Sequence, residues 1–180
     1  MTLNEENIHK AAEVLRKSKF TTAFTGAGIS VESGIPPFRG EGGLWTRYDP
    51  NLLDIDHFIK NPLRAWKIIK EIFYNYFGSA KPNKAHLVLA DMEQRGFLRR
   101  IITQNIDNLH QESGCKNVFD FHGNSKRLVC LSCHTYYAVT DVDLDHLPPA
   151  CGQCGGLLKP DYVFFGESIP QIPLSAAYEA

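Results

Sequence analysis

An apolar run from Leu98 to Ile102 ends directly in a string of polar side chains, and this junction constrains the fold more than any other feature. The string from Thr103 to His110 reads Thr-Gln-Asn-Ile-Asp-Asn-Leu-His, and His122 follows the next short apolar run, Val118 to Phe121. Open α/β sheets build ligand sites where their parallel strands end in polar residues. The junction therefore predicts a parallel sheet with a polar site at its carboxyl edge.

Apolar periodicity along the rest of the chain agrees with an α/β fold. Helices are predicted from about Glu5 to Ser18, Pro62 to Phe77 and Asn83 to Arg95, and strands at Phe20 to Thr25, Leu98 to Thr103, Val118 to Phe121 and Asp161 to Phe165. The second helix carries an apolar stripe that includes Trp66, Ile69 and Phe73, which predicts a core-facing side. This alternation of strands and helices predicts a parallel sheet. The segment from Gly26 to Asn61 has no sustained period, so we expect a long irregular loop there.

The bulk composition excludes some classes of function. A formal net charge of −1 over 180 residues argues against broad electrostatic binding, so no direct nucleic-acid partner is predicted. No apolar run is long enough to span a bilayer, and the first residues lack the layout of a signal peptide, so no membrane association is expected. The expected location is cytoplasmic, where cysteines stay reduced.

Four of the five cysteines form two Cys-x-x-Cys pairs, Cys130 with Cys133 and Cys151 with Cys154. Two such turns can bring four thiolates to one ion in a closed tetrahedral site, which predicts one structural zinc in a zinc-ribbon module over residues 125–158. Two disulfides or a redox pair are the alternatives, and a reducing compartment disfavours them. The fifth cysteine, Cys115, is expected to be an apolar filler.

A glycine turn follows the first predicted strand. Gly26 and Gly28 begin a dinucleotide-binding fingerprint, but Val31 stands where the third glycine belongs, so an ordinary tight turn is the alternative. Downstream, Phe38 and Arg39 follow two prolines. Arginine can bind a phosphate bidentately, although a solvated surface arginine would have the same sequence.

These motifs occur together in one order, and the set resembles the sirtuin family of NAD-dependent protein-lysine deacylases. The segments that carry the resemblance, besides the cysteine pairs, are Thr25-Gly-Ala-Gly-Ile-Ser30, Gly34-Ile-Pro-Pro-Phe-Arg-Gly40, Gly43-Leu-Trp45, Thr103-Gln-Asn-Ile-Asp107, Leu109-His110, His122-Gly123 and Phe165-Gly-Glu167. The resemblance implies a Rossmann-like parallel sheet with helices on both faces and a small zinc module. It also implies that the carboxyl-terminal part of the Rossmann-like domain is missing after Ala180, so that the chain is either a fragment or has its sheet completed by a partner chain.

The resemblance implies five segments. They are 1–45 with the cofactor loop, 46–80 as the helical part of the small domain, 81–124 with the catalytic segment, 125–158 as the zinc ribbon, and 159–180 as the return to the Rossmann-like domain.

The family's functional residues carry over position by position. Gly26, Ala27, Gly28 and Arg39 would hold the pyrophosphate side of NAD, Phe38 would cover the site, Gln104 would contact the nicotinamide ribose, and Asn105, Ile106 and Asp107 would surround the carboxamide. His122 would be the general base, with Asn105 and Asp107 as catalytic partners. The alternative to a catalytic role for His122 is that of a hydrogen-bonded structural histidine. Pro37 departs from the usual Asp or Thr of the family.

The implied reaction uses NAD and an acetylated-lysine protein or peptide and gives nicotinamide, free lysine and O-acyl-ADP-ribose. Val163, Phe165 and Gly166 match the strand that pairs with the substrate backbone, together with His122 beside the acyl group. Ile69 and Ile72 stand where succinyl-preferring members carry Tyr and Arg, which favours acetyl or apolar acyl groups. The alternatives are a catalytically weak fragment, a non-catalytic module that binds ADP-ribose or a partner protein, and a protein ADP-ribosyltransferase.

Overall fold

The computed structural model describes residues 4–180 and contains the predicted parallel sheet. Its three strands are β1 (Thr22–Thr25), β2 (Arg100–Thr103) and β3 (Val118–Asp120), in the order β1-β2-β3. Thr25 lies opposite Thr103, and Thr103 lies opposite Asp120. Ile101 and Ile102 are both buried, because the central strand of a parallel sheet is covered on both faces.

Helices α4 (Lys84–Gln94) and α6 (Gln171–Tyr178) pack against this sheet. The short α5 (Leu109–Glu112) follows its polar edge, and α1 (Glu5–Lys17), which has no buried residue, precedes β1. The side chain of Asn4 accepts a hydrogen bond from the amide of Glu6 and caps α1, and the side chain of Asn83 accepts one from the amide of Ala85 and caps α4. Leu89 of α4 packs with Ile101, and Arg100 donates to the Ala176 carbonyl of α6 at 3.0 Å.

The segment after β1 is less irregular than its composition predicts. It contains 3₁₀ turns at Ala27–Ser33, Leu44–Thr46 and Pro50–Leu53, and a short helix α2 at Ile55–Lys60. The Asp54 side chain accepts the amide hydrogen of His57 and starts α2, a cap that the periodicity analysis did not use. The next helix, α3, begins at Pro62 as predicted but is α-helical only to Ile69, and Lys70–Tyr76 continues it with wider π-helical turns.

A second sheet is antiparallel and carries the cysteines. Its central strand is β4 (Gly123–Cys130), which pairs with β5 (Tyr136–Ala138) and with β6 (Leu158–Tyr162). The strand predicted at Asp161 to Phe165 therefore begins earlier and belongs to this sheet. Residues 158–162 pair with β4, whereas the amide of Val163 donates to the His122 carbonyl and the amide of Phe165 to the Leu53 carbonyl.

The cysteine module shares its core with the helices that precede it. Trp66, Ile69 and Phe73 form the buried stripe that the sequence predicted, and Leu128 and Leu158 of the second sheet pack into the same cluster. The indole nitrogen of Trp66 donates to the Leu158 carbonyl at 2.9 Å. Apolar burial and the cysteine cluster together hold this part of the chain.

In the described range 4–180, no helix combines the length and the apolar character needed to cross a membrane.

Candidate functional site

The polar site lies where the parallel strands end. The amide of Gln104 donates to the Thr25 carbonyl at 2.9 Å, and the amide of Phe121 donates to the Thr103 carbonyl at 2.8 Å. These bonds extend the parallel pairing one residue beyond each strand. They bring the glycine turn after β1, the Gln104–Asp107 segment after β2 and His122 after β3 to one edge of the sheet.

Asn105, Ser30 and Asp107 form a directional hydrogen-bond chain at this edge. The Asn105 side-chain amide donates to the Gly26 carbonyl and to the Ser30 hydroxyl, both at 3.1 Å, and Ser30 donates to Asp107 Oδ2 at 2.7 Å. The other oxygen of Asp107 accepts the amide hydrogen of Leu109 at 3.0 Å and so starts α5. Because both amide hydrogens of Asn105 are used, its carbonyl oxygen is the group left to meet a ligand.

His122 is partly exposed beside this chain. Its Nδ1 lies 3.0 Å from the Gln104 carbonyl oxygen. A carbonyl oxygen can only accept, so the ring hydrogen sits on Nδ1 and the neutral ring keeps an unprotonated Nε2. The geometry gives His122 the tautomer of a general base.

Two further histidines lie buried behind the site. His110 Nε2 contacts the Thr25 hydroxyl at 2.9 Å, and the His86 ring lies 4.9 Å from the His110 ring, centroid to centroid. Burial, followed by the neighbouring His86, lowers the pKa of His110 to about 4. His110 is therefore neutral near pH 7 and contacts the end of β1, so its role is packing rather than catalysis.

The cofactor loop is closed by backbone contacts. The amides of Leu44 and Trp45 donate to the carbonyls of Pro37 and Phe38, at 2.9 and 3.0 Å. A Cβ at Gly43 would lie 3.0 Å from the Phe38 carbonyl oxygen, so the loop requires glycine there. Pro37 fits this closure because it contributes its carbonyl. Arg39 is exposed and has no ion-pair partner among residues 4–180.

A cavity of about 550 Å³ opens beside these residues. Its polar end is formed by Asn105 and Asp107, and Ala27, Phe38 and Ile106 also line it. Its lining also includes the apolar side chains of Phe73, Phe77, Val139 and Leu144. Ile69 and Ile72, the predicted acyl-selecting pair, are instead buried in the core, and Ile72 faces a small separate recess with Pro36 and Leu44.

Phe165 connects the cofactor loop to the segment after β6. The Trp45 ring lies 5.3 Å from Phe38 and 6.4 Å from Phe165, centroid to centroid. The backbone of Phe165 is already paired, since its amide donates to Leu53 and its carbonyl accepts from Ile55. A ligand would therefore meet the half-exposed Phe165 ring, and the neighbouring Val163 carbonyl and Gly166 amide are better placed for backbone pairing.

The four paired cysteines converge as the spacing predicted. Their sulfurs all lie within 4.8 Å of one another, with Cys130 to Cys154 at 3.5 Å and Cys133 to Cys151 at 3.6 Å. A tetrahedron with metal–sulfur distances of about 2.3 Å has edges of about 3.8 Å, whereas a disulfide needs about 2.05 Å. The cluster suits one structural zinc, and the disulfide alternative does not fit.

The comparisons with known proteins agree with this geometry. The Sir2 family profile matches residues 26–180. The chain is 47% identical over 171 residues to an NAD-dependent protein deacetylase of Caldivirga maquilingensis, covering 93% of this chain and 66% of that protein. It is 46% identical over 181 residues to NAD-dependent protein deacylase 2 of Archaeoglobus fulgidus, covering 97% of this chain and 70% of that protein. This chain belongs to the Sir2 family.

Solved Sir2 structures show the same fold. A complex described as Sir2, p53 peptide and NAD⁺ superposes with a TM-score of 0.87 at 40% identity, covering 96% of this chain and 70% of that chain. Sir2Tm bound to a propionylated peptide superposes with a TM-score of 0.86 at 39% identity, again covering 96% and 70%. This chain thus spans about two thirds or slightly more of the length of these Sir2 proteins.

Several residues of this Sir2 site escaped the sequence reasoning. Ser30, which is fully buried, links Asn105 to Asp107, and Asn83 ties the start of α4 to the Ile29 carbonyl at 2.7 Å. Ser30 was part of the Thr25–Ser30 string, but a serine after a glycine turn carries no signal of a partner 77 positions away. The only local signal for His86 in the sequence is its position three residues after the helix cap Asn83, and that position does not indicate a contact with His110.

Tyr137 contacts the metal cluster from β5. Its hydroxyl lies 3.1 Å from Cys151 Sγ and accepts the Gln153 amide at 3.3 Å. A thiolate has no hydrogen to donate, so toward a metal-binding Cys151 the phenol is the donor, and this hydrogen bond lowers the pKa of Cys151 to about 6.

Removing that hydroxyl is expected to weaken zinc binding. Tyr137→Phe should speed zinc loss to a chromogenic chelator by about 10-fold or more, because partners that hold metal ligands typically contribute that much affinity. Tyr136→Phe is the matched control, since Tyr136 is exposed on the same strand and its ring faces Arg127. Equal rates of zinc loss in the two variants would contradict the role of Tyr137.

Proposed function

We propose that this chain is an NAD-dependent protein-lysine deacylase that gives nicotinamide, free lysine and O-acyl-ADP-ribose. The observation that carries the proposal is the His122 tautomer. The Nδ1–H···O=C bond to Gln104 leaves Nε2 free to accept a proton at the edge that also holds Asn105 and Asp107. The activities in the names of the relatives support the same conclusion.

In this proposal the cofactor is NAD, which supplies an activated bond between nicotinamide and ribose. Asn105 offers its carbonyl oxygen to the carboxamide of nicotinamide, and Asp107, fixed by Ser30, holds the same end of the cavity. Ala27 and Ile106 line the apolar sides, and Phe38 covers the opening. The exposed Gln104 faces the ribose. Gly26 and Gly28 leave room for the pyrophosphate, which the exposed Arg39 binds.

His122 acts as the general base. Its Nε2 takes a proton from the ribose hydroxyl system, so that a hydroxyl bonds to the acyl carbon. One water is then consumed as the lysine amine leaves and the acyl group stays on the ribose. The hydrogen bond to Gln104 fixes the ring orientation, and it strengthens when the ring becomes positively charged. Asn105 and Asp107 orient the leaving nicotinamide. His110 takes no proton because burial keeps it neutral.

The substrate in this proposal is an acetylated-lysine protein or peptide. The Val163 carbonyl and the Gly166 amide pair with its backbone, and the Phe165 ring covers the acyl-lysine side chain. Backbone pairing gives affinity with little sequence discrimination. Solved Sir2 proteins with bound acetylated or propionylated peptides support this class of ligand.

Turnover by the zinc-loaded chain tests the proposal. The chain should release nicotinamide from NAD only when an acetyl-lysine peptide is present, and mass spectrometry should find deacetylated peptide in equal amount. Nicotinamide release with label transferred from NAD to protein would instead indicate an ADP-ribosyltransferase. ADP-ribose binding by the zinc-loaded chain without peptide turnover would indicate a binding module and contradict the proposal.

Acyl choice follows from the walls of the site. A butyryl-lysine peptide should be hydrolysed at least about 10-fold faster than a succinyl-lysine peptide, because the succinyl carboxylate would be desolvated against apolar side chains. The two groups have the same number of carbons, so the comparison replaces a terminal methyl group by a carboxylate at the same chain length. The nearest cation at the cavity wall, Lys126, is engaged by Glu112 at 2.9 Å. Equal rates for the two peptides would contradict an apolar acyl site.

The proposal also includes a partner chain and a cellular location. A partner chain adds a strand beside β1, which is an edge strand and carries Phe24 with 60% of its side chain exposed. Light scattering that finds a monomeric active chain would contradict it.

The protein is cytoplasmic, because cysteines without disulfides, as in this four-cysteine cluster, persist in a reducing compartment, and microscopy of the tagged protein checks this.

A further inference from the structure

Lys159 of β6 is a buried lysine with every ammonium hydrogen used. Only 4% of the residue is exposed. Its Nζ donates to the Pro160 carbonyl at 2.9 Å and to the Tyr162 carbonyl at 2.7 Å, and it lies 2.9 Å from Glu167 Oε2. An ammonium group has three hydrogens, so these three acceptors satisfy it completely. The Phe164 ring covers it, with Nζ 4.2 Å from the ring centroid.

Glu167 links Lys159 to a tight turn. The same Oε2 that meets Lys159 accepts the Phe164 amide hydrogen at 2.7 Å. The Glu167 amide donates back to the Phe164 carbonyl at 3.0 Å, and Gly166 has φ +89°. A four-residue turn with its third residue at positive φ is a type II turn, which favours glycine there. The carboxylate therefore braces both ends of the turn Phe164–Glu167.

A buried ammonium group is an unfavourable way to stabilise a core, because the charge loses its hydration, and apolar replacements of similar volume are often no less stable. A fully satisfied network, however, selects one geometry of the groups it touches. Here those groups are the end of β6 and the turn that carries Phe165 and Gly166.

We propose that Lys159 is a positioning residue for substrate: its buried ammonium group, through Glu167, fixes the turn Phe164–Glu167 in the shape that receives the acyl-lysine peptide. The inference rests on the proposed function, because the turn is assigned to peptide binding there. Lys159 touches neither the peptide nor the cofactor in this assignment. Its effect should therefore fall on peptide affinity and leave cofactor affinity alone.

Lys159→Met tests this directly, with Lys10→Met as the matched control because Lys10 is exposed on α1 and pairs with Glu6. The Met variant keeps the length of the side chain but leaves Glu167 and two carbonyls without their partner. We expect the acetyl-lysine peptide to bind at least about 10-fold more weakly, and the Phe164 and Glu167 amides to exchange hydrogen at least about 10-fold faster. ADP-ribose affinity and zinc content should stay within about twofold.

Unchanged peptide affinity and unchanged amide exchange in zinc-loaded Lys159→Met would overturn the proposal. Lys159→Arg, which restores a buried charge opposite Glu167, should recover part of the peptide affinity. A general loss of stability would lower ADP-ribose affinity and zinc content as well, and that result would also overturn a positioning role. If Lys159→Met fails to fold, Glu167→Gln serves in its place, since it keeps an acceptor for the Phe164 amide but loses the charge.

The double variant Lys159→Met with Glu167→Gln tests whether the two residues act on peptide affinity together or independently. Both residues act on the same turn, so the double variant should bind peptide about as weakly as Lys159→Met alone. Additive losses would contradict a joint action. Failure of the proposed function is distinguishable: the unaltered chain would then bind no acetyl-lysine peptide, while amide exchange would still report whether Lys159 fixes the turn.

Discussion

Replacing His122 with tyrosine should slow peptide deacylation by about a hundredfold to ten-thousandfold, the range that a positioned general base contributes. The variant loses the free Nε2 that the Gln104 carbonyl sets up. ADP-ribose affinity should change by less than about threefold, because the groups assigned to the pyrophosphate lie on another segment of the chain. Deacylation kinetics and isothermal titration with ADP-ribose measure the two quantities.

His146→Tyr is the matched control for this substitution. His146 is an exposed histidine whose Nδ1 contacts Asp143 at 2.6 Å, in the cysteine module and away from the sheet edge. It should retain full turnover. Because the base acts after nicotinamide has left, His122→Tyr should still exchange labelled nicotinamide into NAD when acetyl-peptide is present. Full deacylation by His122→Tyr would exclude His122 as the base, and loss of ADP-ribose binding would indicate a structural histidine.

Cys130→Ser should abolish zinc binding and unfold the cysteine module. Structural zinc sites contribute about 10–16 kcal/mol of apparent binding free energy at pH 7 in small zinc domains, and that energy stabilises the folded form. Cys130 is also fully buried beside Leu128 and Leu158. The serine hydroxyl that replaces its thiol would therefore lie among apolar side chains without a metal ion to bind. Zinc measured by atomic emission should fall from about one ion per chain to near zero.

Cys115→Ser is the control for the zinc experiment. Cys115 is buried as well, but it lies in the separate cluster with Leu98 and Ile101 and outside the four-cysteine group. Its variant should keep a full complement of zinc. Amide exchange should rise across residues 125–158 in Cys130→Ser and remain low in Cys115→Ser. An unaltered zinc content in Cys130→Ser would rule out the closed four-thiolate site.

The sequence predicted the features that local patterns encode. Two Cys-x-x-Cys turns predicted a four-sulfur cluster, because two residues between cysteines let both sulfurs face one point. Alternating strands and helices predicted the parallel sheet, and the polar residues after β2 predicted its ligand edge. The stripe of Trp66, Ile69 and Phe73 predicted a buried helix face, since helical spacing places those positions on one side.

Other features depend on pairings between distant segments, and only the tertiary structure decided them. The strand after the cysteine module joined β4 because its register brings Leu158 opposite Cys130, a choice that a run of five residues does not specify. The Ser30–Asp107 bond and the Lys159–Glu167 pair are likewise absent from any local pattern.

The physical reason for this difference is the distance along the chain over which each kind of sequence signal acts. Periodicity and turn spacing act over a few residues and survive in the sequence, whereas a hydrogen bond between side chains needs two backbones to be brought together first. The sequence by itself therefore determined which chemical groups this Sir2 chain carries and at which edge they lie. The packing of the two sheets decided how those groups are held: the tautomer of His122, the anchoring of Asp107 by Ser30, and the buried charge beneath the Phe164–Glu167 turn.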